Sequence, residues 1–367
     1  MKVVLAPDKF AGTLSAADAA EAMAAGWTRA RPHDRVVAVP MADGGPGTID
    51  VVEAAVPGCV RVGMEVADAR GRAVTAAWLR LPDGRALVEA AQACGLDRLA
   101  PDERDPLAAT SYGVGQLLSA VLTEAANVVV GLGGTATVDG GAGMAIALGH
   151  RLLRGDGNGV KVGARFVADL DRIVARPAPA GRVVVASDVT NPLLGSDGAA
   201  AMFAPQKGAR PDDLPLLEAT LAVMADVAER DLPGGPWRDL AGAGAGGGLG
   251  FALAAFCGAR ILPGAGVVGG LVGLDTALAG ASVVVTGEGA LDRQTARGKV
   301  PAHVAERARA HGATVLAIAG RVEDGAGAAF DGVAALGPQG LPRAAALVAE
   351  RAERFAERIA ELVSGPR

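Results

Sequence analysis

The sequence predicts an α/β protein with two domains, and three observations support this fold class. Its 367 residues exceed the roughly 100–200 that one domain usually holds. Short apolar runs without alternation, typical of buried parallel strands, recur between Ala-rich helical segments at both ends of the chain. From about residue 61 this regularity is interrupted. We therefore expect a discontinuous α/β domain, residues 1–60 plus 281–367, with a second α/β domain, residues 61–280, inserted into it.

The chain begins with two α/β units. The run Lys2–Ala6 predicts a buried strand, and a Thr or Ser residue can cap the amphipathic helix expected over Ala16–Ala30. A second strand, Val36–Pro40, and a Gly-rich loop lead into a helix over Ile49–Ala55. Both connecting loops follow strand ends, which is the edge where open α/β sheets bind ligands.

The inserted segment opens with a different pattern. Between Val60 and Leu87, Asp-Gly and Arg-Gly turns separate short charged stretches, which predicts hairpins. The other expected elements are helices over Thr110–Ala125, Ala142–Gly149 and Leu214–Asp231, strands over Asn127–Leu132, Arg182–Ala186, Ala281–Thr286 and Thr314–Ala319, a Gly-rich tract over Ala241–Gly250 before an Ala-rich helix, and helices from Pro301 and from Pro342 to about Leu362.

Composition excludes several classes of function. Seven Phe, three Trp and one Tyr are too few for base-stacking surfaces, and a net charge of -5 does not attract a polyanion, so we expect no nucleic-acid partner. Apolar runs are too short to span a membrane, and no secretory leader is recognisable. Three scattered cysteines indicate neither a disulfide framework nor a zinc site. We expect a cytoplasmic protein.

Three loops in the first half of the chain have anion-binding character. Asp8 and Lys9 precede a Gly-Thr-Leu-Ser turn, whose amides suit an anion or simply cap a helix. Asp43 is followed by two glycines and could hold Mg²⁺ or orient a hydroxyl, or form an Asp-Gly turn. The stretch Gly131–Gly141 contains five glycines and two threonines, and its glycine density favours a ligand loop.

Two later loops repeat this chemistry. Asp188 and Asn191 follow a strand and suit a metal or a polyol, and Lys207 can neutralise an anion or lie on the surface. Glu288 follows another strand.

Four isolated histidines and the lack of a G-x-S-x-G elbow disfavour a histidine base or a serine nucleophile. The residue set is typical of enzymes that position phosphates and Mg²⁺.

Six motifs, taken in order, resemble the bacterial glycerate kinases of the glycerate-2-kinase type. They are Ala6–Ala16, Pro40–Gly45, Gly131–Ala136, Ser187–Leu193, Pro205–Ala209 and Thr286–Asp292. The resemblance runs from about residue 2 to residue 320. It implies ATP-dependent phosphorylation of D-glycerate to 2-phosphoglycerate, with Mg²⁺. It also implies a Rossmann-like (flavodoxin-like) parallel-sheet domain with an inserted α/β domain and an active site in the interdomain cleft.

The resemblance also implies roles for individual residues. The catalytic candidates are Asp188, Asp43 and Lys9, with Asp43 and Asp188 as metal ligands; the substrate-binding candidates are Asp8, Ser15, Asn191 and Lys207; the nucleotide- or phosphate-binding candidates are Gly133, Gly134, Thr135, Glu288, Asp292 and Lys299. The expected partners are glycerate and ATP, and a homodimer is left open.

Two positions depart from the family pattern. Ala11 and Pro46 stand where family members usually have Lys and Glu. This leaves open an altered hydroxy-acid substrate, or a paralogue that only binds a sugar acid or nucleotide as a sensor. A dinucleotide-dependent dehydrogenase would need G-x-G-x-x-G after the first strand, and Asp-Lys-Phe-Ala-Gly stands there instead.

Overall fold

The computed structural model describes residues 1–125, 127–177, 182–292, 299–337 and 343–364. The strands are β1 (Lys2–Pro7), β2 (Arg35–Ala38), β3 (Val60–Ala67), β4 (Ala73–Arg80), β5 (Arg85–Glu89), β6 (Asn127–Gly131), β7 (Arg151–Arg154), β8 (Leu170–Val174), β9 (Val183–Ala186), β10 (Arg260–Leu262), β11 (Val283–Leu291), β12 (Thr314–Val322) and β13 (Gly332–Ala335). The α-helices are α1 (Ala16–Ala30), α2 (Thr48–Ala55), α3 (Ala91–Cys94), α4 (Tyr112–Glu124), α5 (Ala142–Ala147), α6 (Ala164–Val167), α7 (Ala199–Phe203), α8 (Asp213–Asp231), α9 (Ala245–Cys257), α10 (Gly264–Val272), α11 (Leu274–Leu278), α12 (Val300–Ala310), α13 (Ala344–Glu357) and α14 (Ile359–Ser364).

The chain divides into two compact units. The first unit comprises Met1–Asp43, Asp50–Val56 and Gly264–Arg367, and the second unit comprises Gly44–Ile49 and Pro57–Pro263. These limits differ from the domain boundaries expected at 60/61 and 280/281, most clearly at residues 264–280. Those residues belong to the first unit because Ala265 and Leu274 pack into the same apolar cluster as Val304 of α12.

The first unit is built on a five-stranded, all-parallel sheet in the order β13-β12-β11-β1-β2. Counted along the chain, this is the 2-1-3-4-5 order of flavodoxin-like sheets. Side chains alternate between two buried faces, since Val4 packs with Val304 of α12 on one side and Leu5 packs with Met23 of α1 on the other. Burial on both faces explains the uninterrupted apolar runs of its strands.

The second unit contains a six-stranded sheet in the order β10-β9-β6-β5-β4-β3. Strands β5, β6, β9 and β10 are parallel, whereas β3, β4 and β5 form antiparallel pairs. The hairpins expected between Val60 and Leu87 are therefore confirmed. The short hairpin β7–β8 was not expected from the sequence. Among the described residues, no helix has the length and apolar character needed to span a membrane.

Most expected helices and strands are confirmed, with differences at their ends. Helix α5 stops before the expected residue 149, because Gly149 takes a left-handed φ of 92° that ends the helix. The expected C-terminal helix is two helices, α13 and α14, separated at Arg358. Its expected start at Pro342 lies outside the described residues.

Backbone segments of the second unit pack closely around residues 131–141, which we call the glycine loop. A Cβ added at Gly131 would lie 2.2 Å from the carbonyl oxygen of Gly44. A Cβ added at Gly247, whose φ is +70°, would lie 1.9 Å from the carbonyl oxygen of Thr137. The Gly-rich tract over Ala241–Gly250 thus has a packing role, because three consecutive left-handed glycines, 246–248, lie against the glycine loop.

We predict that Gly247→Ala lowers the free energy of unfolding by more than about 3 kcal/mol, because the new methyl group meets a backbone oxygen in addition to the left-handed strain. Gly157→Ala is the matched control. Gly157 also has a positive φ, +80°, but open space around its Cβ position, so we expect a loss of only about 1–2 kcal/mol. Urea unfolding of both variants measures the difference. Equal losses would show that the contact with Thr137 does not constrain the fold.

Candidate active site

Acidic side chains gather at the carboxyl edge of the sheet in the first unit. Asp8 directly follows β1, and its amide donates to the carbonyl oxygen of Gly287 in β11 at 2.8 Å. Glu288 comes next in β11 and is 7% exposed. Asp43 lies in the loop after β2. Strands β1 and β11 are the neighbours at which the strand order reverses, the usual ligand position in open α/β sheets.

The carboxyl group of Asp8 is strongly perturbed by its surroundings. It is 8% exposed. Burial raises its pKa to about 8, and the charges of Asp43 and Glu288 act in the same direction, whereas Lys9 lowers it. The Lys9 amide donates to Oδ1 of Asp8 at 2.7 Å. Asp8, Lys9, Asp43 and Glu288, which belong to three separately predicted loops, therefore form one electrostatic group.

Ser15 lies at the start of α1 and caps it. Its hydroxyl accepts a hydrogen bond from the Asp18 amide at 3.1 Å and donates to Asp18 Oδ2 at 2.7 Å. This is the capping arrangement that the sequence left open for this position. The substrate-binding role of Ser15 stays a prediction. The Ser15 hydroxyl already has a structural role, which is to cap α1.

Asp292 and Lys299 stand on either side of residues 293–298, which are outside the described part of the chain. Their carboxylate and ammonium groups form an ion pair at 3.6 Å. Lys299 is also the residue that precedes the first turn of α12. The two predicted nucleotide ligands are therefore close to one another at the beginning of a helix, where anions are favoured.

In the second unit, the glycine loop and Asp188 follow two neighbouring strands, β6 and β9. The segment that begins at Gly44 lies against both strand ends, since a Cβ at Gly44 would lie 2.4 Å from the carbonyl oxygen of Ala186. The Gly133 amide faces the carbonyl oxygen of Gly44 at 3.4 Å. A Cβ at Gly134 would lie 2.6 Å from Pro46. Small residues are thus required here for backbone packing, whatever ligand the loop binds.

Asp188 is half-buried in the loop that leaves β9. The amide of the preceding Ser187 donates to the Leu262 carbonyl oxygen at 3.1 Å, which continues the pairing of β9 with β10. Asn191 turns its side chain back to its own loop, where Nδ2 donates to the Asp197 carbonyl oxygen at 2.7 Å. The structure therefore places Asp188 at the strand end, with Asn191 bracing the loop that carries it.

Lys207 is buried beneath the glycine loop. Its Nζ donates to the Thr137 carbonyl oxygen at 2.8 Å and lies 3.4 Å from the Thr135 hydroxyl oxygen. Burial lowers the pKa of Lys207 to about 8, while the charge of Asp139 acts in the opposite direction. The prediction did not foresee this burial, since an isolated lysine in a sequence is usually on the surface.

The prediction also missed two buried carboxylates. Asp139 is fully buried, and burial raises its pKa. Glu89, 2% exposed at the end of β5, accepts a hydrogen bond from the Ile49 amide at 2.6 Å. It lines a pocket of about 250 Å³ together with Arg98 and Gly134. For Glu89 the signal available in the sequence was an acidic residue at the end of an apolar strand, and for Asp139 it was the one acid of the stretch Gly131–Gly141.

Potential metal ligands do not form a large cluster in the described part of the chain. Within the ranges that the structure describes, no three or more His, Cys, Asp or Glu side chains are grouped to hold a metal ion. Mg²⁺ at phosphoryl-transfer sites takes one or two carboxylates and completes its shell with phosphate oxygens and water. Asp43, in the first unit, and Asp188, in the second, each carry a carboxylate, which is the donor type that Mg²⁺ prefers.

The raised pKa of Asp8 gives a testable pH dependence. The folded state holds the Asp8 proton up to about pH 8, whereas the unfolded state releases it near the ordinary value of 3.8. Unfolding therefore releases a proton between these values, and stability falls as pH rises toward 8. We predict that Asp8→Asn gains stability relative to wild type between pH 5 and pH 8, on the order of 2–4 kcal/mol.

Urea unfolding at several pH values measures this difference, with Asp324→Asn, at an exposed position of the same unit, as the control. Parallel pH curves for wild type and Asp8→Asn would contradict the assignment.

Comparison with known proteins identifies the family. Residues 3–364 match the model of the glycerate kinase family. Glycerate 2-kinase of Escherichia coli (strain K12) is 40% identical over 333 residues, which is 89% of this chain and 87% of that protein. Glycerate kinase of Bacillus subtilis (strain 168) is 38% identical over 370 residues, 98% of this chain and 96% of that protein. A crystal structure of a glycerate kinase 2 candidate from Salmonella typhimurium LT2 has a TM-score of 0.85 at 38% identity and covers 98% of each chain. The chain belongs to the glycerate kinase family.

Proposed function

We propose that this protein transfers the γ-phosphoryl group of ATP to the C2 hydroxyl of D-glycerate, giving 2-phosphoglycerate and ADP. The observation that carries the proposal is the group of Asp8, Lys9, Asp43 and Glu288 at the strand-order reversal of the first unit. Carboxylates and a lysine at such an edge suit a phosphoryl-transfer reaction, which depends on positioning and charge stabilisation. Family membership supports glycerate as the acceptor.

We assign the phosphate-binding role to the glycine loop. The loop follows β6 at the carboxyl edge of the second sheet, and its residues Gly133, Gly134 and Thr135 form a stretch without bulky side chains. Backbone amides in such a stretch can donate to phosphate oxygens. Glu288, Asp292 and Lys299 complete the proposed nucleotide contacts. The Lys299 ammonium would exchange part of its interaction with Asp292 for a phosphate oxygen.

The proton of the reacting hydroxyl needs an acceptor. A carboxylate within hydrogen-bond reach of that hydroxyl takes up the proton as the oxygen attacks phosphorus in line with the leaving ADP. Asp188 is our first choice because it stands half-buried at a strand end, and Asp43 is the second. Bound Mg²⁺ would supply charge neutralisation of the phosphates, with Asp43 and Asp188 as its carboxylate candidates.

Two residues are assigned to the organic acid. Lys9 would neutralise the glycerate carboxylate or the transferring phosphoryl group, since an ammonium group binds either anion. Asp8 would accept hydrogen bonds from glycerate hydroxyls. The location of the reaction in an interdomain cleft, predicted from the sequence, remains part of this proposal.

We predict that the purified protein releases ADP when given D-glycerate, ATP and Mg²⁺, with a turnover of ~1–100 s⁻¹. A coupled ADP assay over a panel of hydroxy acids measures the rate, and ³¹P NMR of the product identifies the phosphorylated hydroxyl. Binding of nucleotide without ADP release for any hydroxy acid would contradict the proposal. A 3-phosphoglycerate product would overturn the choice of hydroxyl alone.

The role of Asp188 is tested separately. We predict that Asp188→Asn lowers kcat by ~10²–10⁴-fold with a modest change in KM, because the amide cannot accept the hydroxyl proton. Asp197→Asn, at an exposed position of the same loop region, is the matched control and should leave kcat unchanged. An Asp188→Asn variant within threefold of wild type would remove Asp188 from the chemistry.

A further inference from the structure

Lys207 is a cation that the fold buries almost completely. It ends the short 3₁₀ turn Pro205–Lys207, and its side chain is 4% exposed. The next residue, Gly208, has a left-handed φ of 98°, and a Cβ there would lie 2.7 Å from the Arg104 carbonyl oxygen. The backbone is therefore closely packed directly after the lysine, and the lysine itself is enclosed by the fold.

Two of the hydrogen bonds available to this ammonium group go to the glycine loop. Nζ donates to the Thr137 carbonyl oxygen at 2.8 Å and lies 3.4 Å from the Thr135 hydroxyl. Thr135 and Thr137 are 3% and 0% exposed, so the interaction is shielded from water. A charged donor strengthens a buried hydrogen bond to a backbone oxygen. The lysine thus contacts the loop on both sides of Ala136, at Thr135 and at Thr137.

Asp139, later in the same loop, is a negative charge that acts on Lys207. Its carboxylate accepts from the Ser111 amide at 2.8 Å, the Ser111 hydroxyl at 2.9 Å and the Gly143 amide at 3.2 Å through Oδ2, and from the Gly141 amide at 3.1 Å through Oδ1. Asp139 therefore fixes the end of the glycine loop to the starts of α4 and α5. Its charge also favours the protonated form of Lys207.

We propose that Lys207 is a positioning residue, whose ammonium group holds the buried segment Thr135–Thr137 and thereby keeps the adjoining Gly133–Thr135 in the shape that receives the nucleotide phosphates, and that it does not bind the hydroxy acid. The inference rests on the proposed function, because it assumes that the glycine loop binds nucleotide. It replaces the substrate-binding role that the sequence suggested for Lys207. A buried donor already bonded to its own protein is poorly placed to recognise a carboxylate that enters from solvent.

The experiment compares Lys207→Met, which keeps a stem of similar length without donors, with Lys207→Arg, which keeps the charge and the donors. Lys207→Gln, whose amide can still donate in the same space, is measured alongside in case Lys207→Met does not fold. Lys161→Met is the matched control, since Lys161 is an exposed lysine of the same unit. Each variant is measured for its melting temperature, KM for ATP, KM for D-glycerate, kcat, and Kd for Mg·ADP by calorimetry.

We expect Lys207→Met or Lys207→Gln to raise KM for ATP and Kd for Mg·ADP by about 10–100-fold, since a small misplacement of binding groups has effects of this size. KM for D-glycerate should stay within threefold, Lys207→Arg should recover at least part of the Mg·ADP affinity, and Lys161→Met should match wild type.

Two results would overturn the inference. A raised KM for D-glycerate with unchanged Mg·ADP affinity would make Lys207 a substrate ligand. A lower melting temperature with unchanged affinities would make its role purely structural.

Mg·ADP binding is measured without turnover. Failure of the proposed function can therefore be distinguished from failure of the inference about Lys207. A wild-type protein that binds Mg·ADP but phosphorylates no hydroxy acid would reject the proposed function while the variants still decide the role of Lys207. A wild-type protein that does not bind Mg·ADP would reject both.

Discussion

The second unit depends on close contact between backbones around the glycine loop. The backbone of Gly44 is in contact with that of Gly131, and the backbone of Gly247 is in contact with that of Thr137. Both contacts are too close to leave space for a Cβ on the glycines at 131 and 247. Each glycine loses more conformational freedom on folding than other residues, so this arrangement costs stability locally. What it provides is a loop after β6 in which Gly133 and Gly134 carry no side chain. Such a loop leaves room for a ligand to approach main-chain groups closely.

Buried charge is the second constraint, and it differs between the units. In the second unit, Asp139 and Lys207 have opposite charges, and most of their hydrogen-bonding groups are bonded within the fold. In the first unit, Asp8 is buried near two other acids and holds its proton to about pH 8. The first arrangement stabilises a fixed shape. The second places a protonated carboxyl group beside two further acids at a sheet edge, which suits a site that receives a cation.

The sequence predicted the parts of this protein that depend on local pattern. Uninterrupted apolar runs predicted β1 and β11, and the Ser-x-x-Asp spacing before an Ala-rich stretch is consistent with the observed cap of α1. It could not predict that Lys207 is buried, because its compensating partners, Thr137 and Asp139, lie far away along the chain. For the same reason the glycine tract near residue 247 had no visible partner until the fold placed it beside the glycine loop.

The central claim is that the glycine loop is a phosphate-binding element shaped by the fold around it. Amide hydrogen exchange with and without Mg·ADP tests this directly. The account predicts slower exchange in a peptide that covers Gly133–Thr135 when Mg·ADP is present, and no change in the hairpin of β7 and β8. Unchanged exchange in the glycine loop under saturating Mg·ADP, with protection elsewhere, would contradict the account.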